Sequence, residues 1–276
     1  MMKNQFFETD LVKLSYYTFG NGPKTMLCFH GYGMHGRQFK TLENQFKDTY
    51  TFYGFDLFFH EQTQLQNNSI ENIKNGIKKE ELSAIFAAFC TAKGIDNFSV
   101  LAYSMGSHYA STLVEIIPEK IDEVIIAAPS CLNPGLVVNF FSQNKIGNKI
   151  LEKLTLSKNG MNKFLESLVK IKVIDEPTLE ILLREVGTQQ LRFNLYGCAT
   201  YLRHLKLDQE KYIQNLNQHK IKSYYIFGER DKNYPPKIGK KYLLKLENAK
   251  QLIVPENHDM INVNFSQNLL NLLNDY

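Results

Sequence analysis

Apolar and polar positions alternate over residues 11–19, the pattern of a strand with one face buried. Asn21-Gly22-Pro23 breaks that pattern as a turn. Short unbroken apolar runs follow at 25–29 and 50–55. A strand covered on both faces needs no polar side, so these runs predict inner strands of a parallel sheet. Residues 82–92 switch to helical spacing and stop at Gly94, a residue suited to the left-handed turn that ends helices. A strand at 98–102, a helix at 105–117 running up to Pro118, and a strand at 124–128 follow.

The rhythm then changes. Between 133 and 215 no strand pattern stands out, and apolar residues recur at helical spacing over 164–173, 179–186 and 191–205. Gly160, Asp175-Glu176-Pro177 and Gly187 punctuate them. Alternation resumes with a strand at 223–227, a helix at 238–246, a strand at 251–254 and a helix at 261–273. Strand–helix alternation predicts the α/β class, a mostly parallel central sheet flanked by helices. Its two core parts, 1–132 and 216–276, are separated by a helical insertion over 133–215.

Composition narrows the setting. A chain of 276 residues, 43% hydrophobic, can bury the core of one large α/β domain with an insertion. The net charge of +4 is spread over dispersed lysines, so there is no dense basic block and nucleic-acid binding is not expected. Cys28, Cys90, Cys131 and Cys198 lie far apart with no CxxC pair, which fits neither a disulfide framework nor a zinc site. Residues 1–9 have no apolar signal core, and no apolar run nears the roughly 20 residues of a membrane span. The expectation is a reduced, cytoplasmic setting without a membrane span.

The stretch carrying most chemistry is Ala102-Tyr103-Ser104-Met105-Gly106, placed where a strand pattern ends and a helix pattern begins. Small residues two before and two after a serine allow the tight turn of a nucleophile elbow. The backbone N–H of Met105 is then a candidate oxyanion donor, helped by the helix N-terminus. The loop His30-Gly31-Tyr32-Gly33, directly after the run at 25–29, supplies a second candidate, the N–H of Tyr32.

A serine nucleophile needs a base, and the base needs an orienting acid. With such an elbow the chain order is serine, acid, histidine. His108 falls in the helix after the elbow, His204 in the insertion, and His219 before a strand. His258 alone follows a late strand, where sites form in parallel sheets. Asp122 precedes its strand, and Asp175 and Asp208 lie in the helical region. Asp231 follows the strand at 223–227, with Glu229 as a rival acid two residues earlier.

With these pieces in place, the chain closely resembles the α/β-hydrolase superfamily over nearly its whole length. The matching segments are His30-Gly-Tyr-Gly33, Ala102-Tyr-Ser-Met-Gly106, Gly228-Glu-Arg-Asp231 and Asn257-His258. Asp56-Leu-Phe-Phe-His-Glu-Gln-Thr63 is similar to the family's Asp-x-x-Gly-x-Gly-x-Ser segment, but Phe59 and Glu61 stand in place of glycines, so the loop's shape should differ. The resemblance implies that residues 133–215 form the family's helical cap, which sits over the site. It implies a triad of Ser104, His258 and Asp231 working through an acyl-enzyme without metal or organic cofactor. The elbow and the His-Gly-x-Gly loop look most like small capped esterases and thioesterases. Carrier-protein methyl-ester esterases and the lyase of menaquinone synthesis are similar in plan. A serine at the elbow argues against haloalkane dehalogenases and epoxide hydrolases, which use Asp there.

The implied substrate is a small-molecule or carrier-bound ester or thioester. Phe193, Tyr196, Tyr201 and Arg203 of the insertion are candidate lining residues, His30 is a candidate substrate-binding residue, and His35 and Arg37 are candidate contacts for an anionic group. Two other readings stay open: a lyase or acyltransferase on the same triad, and a non-catalytic binding protein on this scaffold. The oligomeric state is open too.

Overall fold

A computed structural model describes residues 3–274; residues 1 and 2, which begin the polar N-terminal stretch, and 275–276 lie outside them. In chain order the elements begin with β1 (Gln5–Glu8), β2 (Val12–Phe19), β3 (Lys24–Phe29), α1 (Glu43–Phe46), β4 (Tyr50–Phe55) and β5 (Gln64–Leu65). There follow α2 (Ile70–Asn75), α3 (Lys79–Lys93), β6 (Phe98–Tyr103), α4 (Ser107–Ile116) and β7 (Ile121–Ala127). Five helices come next, α5 (Leu136–Gln143), α6 (Lys145–Leu156), α7 (Gly160–Lys170), α8 (Glu176–Val186) and α9 (Gln189–Tyr201). The chain closes with α10 (Gln209–Gln218), β8 (Lys222–Gly228), α11 (Lys240–Leu243), β9 (Ala249–Val254) and α12 (Phe265–Asn274).

The strands form one sheet in the order β1-β2-β4-β3-β6-β7-β8-β9, with β5 against β2. From β4 to β9 every pairing is parallel; β1, β2 and β5 add antiparallel pairs at one edge. All six residues of β6 are buried, including Ser99, whose hydroxyl donates to Glu123 Oε1 at 2.9 Å. Its residues alternate between two aromatic layers. Leu101 and Tyr103 join Met26, Cys28, Phe52, Ile226 and Phe265 of α12 on one face. On the other, Phe29 and Phe55 meet the edge of Phe86 of α3 at 5.0 and 5.1 Å, and Tyr109 of α4 stacks on Phe29 at 5.7 Å. Full burial of each such ring stabilises by about 1.5–3 kcal/mol. The sheet's middle is therefore held firmly, and β3 and β6, whose ends carry the 30–33 loop and Ser104, lie there; Asp231 and His258 follow β8 and the edge strand β9.

Contacts divide the chain into two compact units. The first holds residues 1–66, 78–134 and 205–276, with the whole sheet; the second holds 67–77 and 135–204, with α2 and α5–α9. The bounds differ from the 133–215 drawn from pattern alone. Helix α10 belongs to the first unit because Asn215 Nδ2 donates to Val114 O (2.8 Å), Asp208 N donates to Glu115 Oε1 (3.0 Å), and the Tyr212 and Tyr225 hydroxyls meet at 2.9 Å. The polar stretch 67–77 joins the second unit through Ile77 N donating to Tyr201 O (2.8 Å) and the Lys74–Glu152 ion pair (2.7 Å).

Two further differences have local causes. Strand β1 is only four residues long, too short for a pattern to show. The helix expected at 238–246 shrinks to α11, because the Asn217 side chain bonds Lys245 O (2.9 Å) and Glu247 N (3.0 Å), groups a further helical turn would have used.

Candidate active site

Strand β6 ends at Tyr103, and the chain turns at Ser104 with φ +50°, a left-handed conformation that a non-glycine residue adopts only where its surroundings enforce it. The enforcement is visible. Ser107 Oγ and Ser130 Oγ both donate to Ser104 O, at 2.6 and 2.8 Å. Gly106 lies so close to β3 that a Cβ there would sit 2.1 Å from Phe29 O. Gly106→Ala should therefore cost about 1–3 kcal/mol of stability, read from urea unfolding, since backbone must move to admit one methyl.

Ser104 Oγ lies 3.1 Å from His258 Nε2. On the ring's other side His258 Nδ1 donates to Asp231 Oδ2 at 2.8 Å. Asp231 comes from the loop after β8 and is 2% exposed. Its Oδ1 accepts the N–H groups of Asn233 and Tyr234, at 2.8 and 3.0 Å. Burial pushes this carboxyl up, but donation from His258 and from those two N–H groups outweighs it, so its pKa is lowered. Glu229, the rival acid, is exposed. The structure thus brings Ser104, His258 and Asp231 together in one hydrogen-bonded chain.

The loop after β3 stands beside the serine. At Gly31 a Cβ would fall 2.9 Å from the Tyr103 ring and 3.3 Å from Ser104 Cβ. Two histidines brace this loop. His30 Nε2 accepts from Leu57 N (2.9 Å), so its Nδ1 carries the proton and donates to Gly31 O (2.6 Å). His60 Nε2 likewise accepts from Gly33 N (3.0 Å), and Nδ1 donates to Phe58 O (2.9 Å). The expectation that His30 contacts substrate is corrected here: it is fully buried and both ring nitrogens are used within the fold. His60 was missed as a site residue, although it sits in the middle of the 56–63 segment.

The loss of two glycines was expected to change this segment's shape, but both substituted positions keep the left-handed turn. Phe59 and Glu61 occupy positive φ, +64° and +46°. Below them Asp56 is fully buried, accepting from Ser15 Oγ (2.6 Å) and Gly36 N (2.9 Å), while Thr63 Oγ1 donates to Asp56 O (2.5 Å). Glycine at 61 would relieve about 1–2 kcal/mol of backbone strain and cost about 0.4–1 kcal/mol in unfolded-chain freedom. The Arg37–Glu61 pair at 3.6 Å is exposed and adds little. Glu61→Gly should therefore raise stability by up to about 1 kcal/mol in urea unfolding.

Other candidates take no part in this chain of bonds. Arg37 pairs with Glu61 and lies over the Tyr17 ring at 5.3 Å. His35 Nδ1 is buried without a hydrogen-bond partner. In the second unit Tyr196 and Tyr201 are buried, Phe193 is half-buried, and Arg203 donates to Lys74 O. Tyr103 was also missed: its hydroxyl donates to His258 O at 2.6 Å, and its ring lies 5.4 Å from the imidazole. Residue 103 is the free position of the elbow motif, so the motif gave no signal for it. Among the described residues no group of three or more His, Cys, Asp or Glu could hold a metal ion.

Comparison with known proteins bears on the fold. Residues 24–148 match the family model described as alpha/beta hydrolase fold. A hydrolase from Pseudomonas aeruginosa PA01 superposes with a TM-score of 0.69 at 15% identity, covering 98% of each chain. A thermophilic esterase from Thermogutta terrifontis gives 0.65 at 13% identity, again over 98% of each. In sequence, 181 residues are 25% identical to the dihydrolipoyllysine-residue acetyltransferase component of the acetoin cleaving system of Cupriavidus necator. That match covers 63% of this chain, which spans about half (46%) of the curated relative's length. The chain has the α/β-hydrolase fold, and residues 24–148, somewhat under half of it, match that family's model.

Proposed function

We propose that the chain is a serine hydrolase cleaving a carboxylic ester or thioester of a small-molecule or carrier-bound acyl substrate. The observation that carries this is the Ser104–His258–Asp231 chain, at 3.1 and 2.8 Å, with the serine strained at φ +50° on the elbow. His258 takes the Ser104 proton as Oγ attacks the acyl carbon, then returns it to the leaving alcohol or thiol. Asp231 holds the tautomer with Nδ1 protonated and stabilises the imidazolium. The backbone N–H groups of Met105 and Tyr32 receive the oxyanion; one such donor contributes about 2.7–4 kcal/mol. Water then cleaves the acyl-enzyme, and no metal or organic cofactor enters. The second unit is assigned a part in selecting the acyl group, with Phe193, Tyr196, Tyr201 and Arg203 as the residues to vary.

The test is a panel of p-nitrophenyl esters and acyl thioesters of graded chain length, run in ¹⁸O-labelled water. Incorporation of one label into the released acid marks hydrolysis. A second reading, acyl transfer to an acceptor other than water, is favoured by the acetyltransferase description of the Cupriavidus necator relative. Unlabelled acyl adduct on an added alcohol or thiol would establish that reading instead.

A further inference from the structure

Helix α5 contains no charged residue and has none of its residues buried. Leu136 is 90% exposed, Val137 70%, and Val138 and Phe140 are exposed as well. The next helix extends the patch, with Ile146 69% exposed and Ile150 exposed beside it. The corner between the two helices is fixed. Asn144 caps α6 by accepting from Ile146 N (2.9 Å) and Gly147 N (3.0 Å), and Asn148 Nδ2 donates to Phe141 O (2.9 Å). Scattered exposed hydrophobics need no explanation, but a contiguous run on one braced corner marks an interaction surface.

Charge decides what it meets. Residues 124–165 hold five lysines (145, 149, 153, 158 and 163) and a single acid, Glu152, already paired with Lys74 at 2.7 Å. Lys145, Lys149 and Lys153 recur every fourth residue, so they form one stripe along α6, with Ile146 and Ile150 on the adjoining line. Apolar side chains beside a row of long cationic stems is the arrangement that lies in a lipid headgroup layer, the stems snorkelling outward to anionic phosphates. A second copy fits less well, because a two-fold interface would set lysine stripe against lysine stripe. We propose that the α5–α6 corner is a docking surface for an anionic phospholipid bilayer, entered by Leu136, Val137 and Phe140 and held by Lys145, Lys149 and Lys153. No described helix is long and apolar enough to cross a membrane, so the contact is peripheral. The proposal does not depend on the chemistry of Ser104.

Vesicle flotation of the full chain tests it, using phosphatidylcholine alone and phosphatidylcholine mixed with phosphatidylglycerol, at low and high salt, beside sedimentation velocity without lipid. The expected result is co-flotation with the mixed vesicles, at least about tenfold weaker with phosphatidylcholine and weaker again in high salt. Lys145→Glu/Lys149→Glu should weaken binding by about 25-fold or more, roughly fivefold per lysine, and Lys145→Arg/Lys149→Arg should preserve it. Leu136→Ser/Phe140→Ser should weaken it by about tenfold or more, with unchanged circular dichroism. Absence of flotation with mixed vesicles at low salt would overturn the proposal, as would flotation indifferent to both reversed lysines. A dimer that dissociates in the Leu136→Ser/Phe140→Ser variant, with no lipid binding, would assign the patch to a second copy. The composition contrast and the salt dependence need no variant to fold.

Discussion

Ser104→Ala and His258→Ala should each lower kcat/KM on a responsive ester by about 10⁴–10⁶-fold, and the double variant should be hardly worse than either. The non-additivity is the informative part. Ser104 Oγ and His258 Nε2 lie 3.1 Å apart and act on one proton, so removing either disables the same step. Asp231→Asn should cost about 10⁴-fold, through the wrong imidazole tautomer. Its amide can still accept from the Asn233 and Tyr234 N–H groups that hold Oδ1, so circular dichroism and melting should stay near wild type. Glu229→Gln should be close to neutral, since Glu229 is exposed and the imidazole donates to Asp231. Steady-state kinetics on the four single variants and the double separates these cases. A Glu229→Gln loss as large as that of Asp231→Asn would reassign the acid.

The second large effect is on stability in mild acid. Burial holds the pKa of His30, His60 and His108 below the ordinary 6.5, His108 down to about 4. In His30 and His60 protonation would also abolish an acceptor nitrogen already used by a backbone N–H. As pH falls below 6.5 the unfolded chain binds these protons first. The stability tied to each histidine is therefore complete above 6.5 and is lost as pH drops towards its folded pKa. Each group contributes up to about 1.36 kcal/mol per pH unit, so the three together give a slope of up to about 4 kcal/mol per unit. Buried Asp56 and Glu115, whose carboxyls burial pushes up, oppose this wherever they take up protons in the folded state first. Urea unfolding at pH 7, 6 and 5 should show the decline, and His108→Gln should flatten it by up to about 1.4 kcal/mol per unit. A slope that His108→Gln leaves untouched would mean that His108 is protonated in the folded chain.

Much of this was legible in the sequence, for identifiable reasons. The inner strands at 25–29, 98–102 and 223–227 announce themselves because a strand covered by helices on both faces is mostly apolar, admitting only small hydroxyls with partners, such as Ser99 on Glu123 and Ser223 on Asn248 O. Ser104, Asp231 and His258 could be picked out because each must follow a strand, in a fixed order. What stayed hidden depends on distant partners. Strand β1 exists only as an edge partner of β2, and α10 is held by Val114 and Glu115, about a hundred residues earlier. The role of His60 depends on Gly33 N–H, which no local pattern reports. Tyr103 reaches His258 across 155 positions of sequence, and the elbow motif leaves its place unrestricted.

The central claim is that Ser104 is an activated nucleophile, and intact-mass analysis after treatment with a fluorophosphonate reports on that directly, whatever the substrate. One adduct per chain is expected, mapped by peptide sequencing to Ser104 and absent from Ser104→Ala and His258→Ala. A correctly folded wild-type chain that stays unmodified, or one labelled equally well without His258, would contradict it.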